Sequence, residues 1–138
     1  MSFTLKDAID VTIQLANGVN ALWTFYITVL LAITGALLFS SVQLTRSQKI
    51  VATITFCLFA FINWRSLLRT YALLAAAIDE MKAQAPSADL KSEAFEKSIN
   101  AVSFSSGSWL PTLFHVVLGV GVLFLIWFNP QGPRRDGD

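Results

Sequence analysis

The stretch ALWTFYITVLLAITGALLF, residues 21–39, contains no charged side chain. It is about as long as the roughly 20 residues a helix needs to cross the hydrocarbon of a bilayer. Two more apolar stretches follow, Ile50–Ile78 and Trp109–Phe128, and polar or charged residues flank all three. Lipid offers no water to a bare backbone, so such stretches cross it as helices that satisfy their own N–H and C=O groups. The sequence therefore predicts an all-α integral membrane protein with three transmembrane helices, over about residues 20–40, 49–70 and 108–128.

Composition points the same way. Of 138 residues, 54% are hydrophobic and 14% charged, against about 25% charged in a typical soluble domain. Three spans with short connections leave no room for a second core. Residues 1–128 read as a single membrane domain and 129–138 as a disordered cytoplasmic tail. The net charge of +1 supplies no field to attract nucleic acid, and none is expected as a partner. Cys57 is the single cysteine, which excludes an internal disulfide and a thiol-built zinc cluster. The first twenty residues carry Lys6, Asp7 and Asp10 and lack the pattern of a cleaved signal peptide. No lipidation motif is expected at Ser2 or at the Asp138 end.

Local signals set the helix limits. Thr4-Leu5-Lys6-Asp7 reads as a capping box, with Asp7 facing the positive end of the helix dipole. Asp7, Asp10, Gln14 and Asn17 then share one face, while Leu5, Ile9, Ile13 and Ala16 share another. After Asn20 the helix becomes apolar all round and should run unbroken into the membrane, with Gly18 marking where a bend would fall. Ser40–Lys49 reads as a polar turn, helix two as starting near Ile50, and Pro86 as its stop. That helix would be on the order of 50 Å long, more than the hydrocarbon thickness. Ser87 can cap a further helix in which Leu90, Ala94, Ile99 and Val102 recur at helical spacing. Two of the long helices should thus extend beyond the bilayer into a small helical extramembrane bundle, built from segments 3–18, 66–84 and 88–103.

Basic residues in short loops set the orientation. Arg46 and Lys49 lie in the first turn and Arg134 and Arg135 follow the third span, while acids outnumber bases in Asp79–Asn100. The N-terminus is expected outside and the C-terminus in the cytoplasm, in the cell's inner or plasma membrane. Trp and Tyr favour the membrane–water boundary. Trp23, Trp64 and Trp109 fall at the outer ends of the three spans and Trp127 at an inner end, as an interfacial belt would. The plainer alternative is that some of these rings pack between helices.

Three groups of residues can carry chemistry. Arg65 and Arg69 share one helix face, with Arg69 about 7–8 Å outward of Trp64 and Asn17 and Asn20 at the same height on helix one. No carboxylate of the chain lies level with them. Arginine grips carboxylate or phosphate in a fork, so this face suits an acidic group of a partner or another anion. The plainer reading is snorkelling to anionic lipid headgroups. His115 lies about 9 Å inward of Trp109, and Cys57 about 10 Å inward of Trp64, with Thr28 near the same depth. A buried ionisable group in a span is a functional candidate, as proton relay or ligand. Its plainer role is a neutral imidazole bonded to Thr28 or to the carbonyl freed by Pro111. One His and one Cys are too few for a closed metal site, so no metal and no cofactor is expected. Small residues, Ala32, Gly35 and Ala36 on span one and Gly119 and Gly121 on span three, allow close helix approach within the chain or between copies.

No phosphate loop, paired histidines or placeable Ser-His-Asp set appears, and no carboxylate lies within an apolar core. No catalytic residue and no enzyme activity is expected. The sequence points first to a non-catalytic membrane subunit that associates with itself or with a larger membrane protein. The alternative is a homo-oligomeric channel or pore lined by Thr24, Thr28, Thr34 and His115. The layout suits phage-type holins too, at the level of topology alone.

Overall fold

The computed structural model describes residues 4–39, 44–85, 97–99 and 109–128. The described residues are almost wholly helical. They form α1 (Leu5–Phe39), α2 (Arg46–Gln84) and α3 (Trp109–Phe128), with 97–99 also helical. All three named helices are long and apolar enough to cross a membrane. The expected tail 129–138, and all of segment 88–103 except 97–99, lie outside the described residues.

The caps explain where the helices begin. The Thr4 N–H and hydroxyl both donate to Asp7 Oδ2, at 2.9 and 2.7 Å, and the Asp7 N–H donates to Thr4 Oγ1 at 3.3 Å. Helix α1 then continues through Gly18 without interruption. Helix α2 starts at Arg46, four residues before the Ile50 expected from sequence. The reason is a second capping box. The Gln48 N–H donates to Thr45 Oγ1 at 3.3 Å, and Gln48 Oε1 accepts from the Thr45 N–H at 2.8 Å. Residues 46–49 look like a turn by polarity but form a first helical turn by hydrogen bonding. Helix α2 ends one residue before Ala85, whose N–H still reaches the Met81 carbonyl, and Pro86 follows in sequence.

Three small clusters give the packing order. Ala8 meets Met81, Ala85 and Ile99; Val19 meets Leu67, Leu74 and Ile78; Tyr26 and Leu30 meet Phe56, Val122 and Ile126. Numbers rise along α1 as they fall along α2, so these two helices are antiparallel. Helix α3 runs antiparallel to α2 and so parallel to α1, since His115 bonds to Ala60 while Trp127 pairs with Thr53, nearer the start of α2. Most large apolar side chains point outward; Phe39 is 90% exposed and Leu31 67%. In water so continuous an apolar surface would drive aggregation. In hydrocarbon it costs nothing, and helix association must rest on close packing and hydrogen bonds instead.

Candidate functional site

The polar centre of the apolar region joins all three helices. Tyr26 of α1, fully buried, stacks on the His115 ring of α3 with centroids 3.9 Å apart and planes at 13°. Its hydroxyl donates to the His115 carbonyl at 2.9 Å. His115 Nε2 lies 3.0 Å from the Ala60 carbonyl of α2. A carbonyl can only accept, so Nε2 carries the hydrogen, and in the neutral ring Nδ1 is left as an acceptor. The sequence suggested Thr28 or the carbonyl freed by Pro111 as the partner. The partner is instead the Ala60 carbonyl on α2. Trp23 stands edge-on to both rings, and its indole N–H donates to Tyr71 Oη at 2.8 Å.

Gly119 is part of the same construction. A Cβ there would lie 3.3 Å from the Tyr26 hydroxyl oxygen, tighter than ordinary contact. The absence of a side chain lets α3 approach α1 closely enough for the Tyr26 bond to form. Gly35 and Gly121 would meet nothing within 4 Å among the described residues, so their small size serves no contact within the described chain.

The other candidates are distributed as follows. Cys57 is exposed and lines a cleft of about 250 Å³ between α2 and α3, which His115 and Trp64 also line. Thr28 is exposed and returns its hydroxyl to the Thr24 carbonyl at 2.7 Å, so the structure does not bring it to His115. Trp64 is half-buried beside Phe61, Trp109 is exposed, and the exposed Trp127 donates to Thr53 Oγ1 at 3.0 Å. Taking Tyr26–His115–Ala60 as a level, Trp23, Trp64 and Trp109 stand about 4.5, 6 and 9 Å to one side along their helices, and Trp127 to the other.

Arg65 and Arg69 are both exposed and share an open cleft of about 530 Å³ with Ser66 and Leu68. Among the described residues neither is paired with a carboxylate; on α2 the nearest acid is Asp79, about 15 Å along from Arg69. Gly18 rests on Thr70, which sets the exposed Asn17 and Asn20 level with this arginine turn.

Sequence reasoning missed Tyr26 at the centre of the site and a buried polar residue of α2, Asn63. Tyr26 read as one aromatic among many. Asn63 is buried to 5% exposure with its Nδ2 unpaired among the described residues. A polar side chain inside a span was the available signal. No three His, Cys, Asp or Glu side chains come together among the described residues. Comparison with known protein families, with curated proteins and with solved structures returned no match.

Proposed function

We propose that this chain is a non-catalytic subunit of a membrane complex, holding an acidic group of a partner protein on the Arg65–Arg69 face. The partner is a second copy or a larger membrane protein. The observation that carries this reading is the arginine pair itself. Two guanidinium groups stand exposed on one helix face beside the apolar region, without a carboxylate from the described chain. Charge is expensive near hydrocarbon, and a site that keeps two arginines there gains most from an anion brought from outside. Anionic headgroups would solvate the same face whenever the partner is absent.

In this reading the N-terminus lies outside the plasma membrane and the C-terminus in the cytoplasm. The cluster of Ala8, Met81, Ala85 and Ile99 supports a small bundle standing clear of the lipid. A pore fits less well. Of the residues that would line it, His115 is enclosed by its own chain, while Thr24 and Thr28 are exposed on α1 and Thr34 is half-buried.

Purification in a gentle detergent followed by intact-complex mass measurement tests the proposal. The wild type should carry a protein partner or further copies in fixed ratio. Arg65→Glu with Arg69→Glu should release them while α-helix content is kept. A wild-type chain that stays monomeric and partner-free, yet conducts ions in liposomes, would give the pore reading the advantage.

A further inference from the structure

We propose that the cleft between α2 and α3 is a binding site for a hydroxylated aromatic ring, the headgroup chemistry of a phenol or quinol, entering from the bilayer. This inference is independent of the arginine face and needs only that the helices lie in lipid.

The cleft has a volume of about 250 Å³ and opens to the surface of the helix pair. That is below the usual range of about 300–1,000 Å³ for drug-sized ligands, which suits one ring rather than several. Aromatic rings make up much of its lining: Phe56, Phe61 and Trp64 from α2 and the stacked Tyr26 and His115 rings. Such walls favour a flat ring by stacked or edge-to-face contact.

Two buried hydrogen-bonding atoms of residues that line this cleft have no partner among the described residues, His115 Nδ1 and Trp64 Nε1. Their roles are opposite. Nδ1 accepts, because Nε2 already donates to Ala60. The indole N–H donates. A hydroxyl does both, so one kind of polar group on an otherwise apolar molecule answers the whole set. The Tyr26 hydroxyl does not compete, since it is engaged by the His115 carbonyl. Both unpaired atoms are buried. The occupant must therefore press between the rings, and Trp64 is the one that can yield: it is half-buried, and its indole N–H is tied to no acceptor.

The donor requirement makes the site selective. A ring bearing an ether or carbonyl oxygen can accept from Trp64 but leaves Nδ1 unpaired. An unpaired buried acceptor is worth about tenfold in affinity. By the same argument the reduced, hydroxyl-bearing form of a quinone is preferred over the oxidised form.

The test compares 4-butylphenol with 4-butylanisole, its methyl ether, on the full chain in detergent. Ligand that binds only the folded state raises the thermal unfolding midpoint saturably. The phenol should do so at about one-tenth the concentration needed by the anisole. Cys57→Phe, which adds a bulky ring at the cleft lining, should remove the saturable shift. His115→Phe should abolish the difference between the two compounds; should that variant not fold, Trp64→Phe should weaken both compounds together. Equal shifts by the two compounds in the wild type, a shift that never saturates, or a full shift retained in Cys57→Phe would each overturn the proposal.

Discussion

The Tyr26 hydroxyl is placed by one contact and constrained by another. It donates to the His115 carbonyl, and it sits where a Cβ on residue 119 would press to 3.3 Å. The next nearest atoms to that Cβ belong to Phe56, at 3.9 Å and beyond, which is ordinary contact. Gly119→Ala should therefore destabilise the wild type through the hydroxyl alone. In a Tyr26→Phe background the same substitution should cost nothing or stabilise. The coupling between the two sites should be on the order of 1 kcal/mol, measured by unfolding in mixed micelles. Additive effects would mean that the hydroxyl does not set the spacing of α1 and α3. The sequence announced half of this site. His115 stood out as a lone ionisable residue in a span, and Cys57 was placed at its depth. Tyr26 and Gly119 did not stand out, because aromatics and glycines are common in spans and their meaning depends on which neighbour they face.

Helix ends were more legible than helix faces. Thr4 and Asp7 form the box that their spacing predicts, since capping depends on residues three apart in one chain. The Thr45–Gln48 box was equally available but was hidden within the polar run Ser40–Lys49, which suggested a turn. Faces are harder, because a helix that is apolar all round has no polar side to mark its exterior. Val122 is buried and Val120 exposed, though the two differ in nothing but position. The Asp7 cap also gives the element a pH dependence. Bonds from the Thr4 hydroxyl and then the Thr4 N–H hold the Asp7 carboxyl below its ordinary value, with a smaller contribution from Lys6. A depressed folded-state pKa contributes stability that is fully present above the unfolded value, about 3.9, and is lost as pH falls through the folded one. The first turn of α1 should thus fray only under acid conditions below that value. Backbone amide exchange at residues 5–8 should show the change, and Asp7→Asn should remove its pH dependence. Unchanged protection of these amides down to full carboxylate protonation would argue against the cap.

At the scale of the whole molecule, unequal helix lengths decide what lipid can cover. Helix α3 has 20 residues, about 30 Å, which matches the hydrocarbon thickness. Helix α1 has 35 and α2 has 39, about 52 and 58 Å. Helices α2 and α3 come level near Trp127, whose indole donates to Thr53 and whose carbonyl accepts from Lys49 Nζ at 3.2 Å, and Leu37 near the end of α1 packs with the cluster that holds Ile126. The excess of α1 and α2 must therefore lie at the opposite end, beyond Trp109. Charge distribution agrees with this geometry. Asp7, Asp10, Asp79 and Glu80 all fall on that excess, where α1 and α2 meet through Ala8 and Met81. Sidedness can be measured directly with a thiol reagent that does not cross membranes, in a Cys57→Ser background. Asp10→Cys and Glu80→Cys should be modified together from one side of sealed vesicles, and Ser47→Cys only from the other. With the N-terminus outside, intact cells should expose the first pair and protect the third position. The reverse pattern would invert the orientation and keep the fold. Modification of all three from one side would place both long helices wholly on one face of the membrane, and the three-span architecture would have to be abandoned.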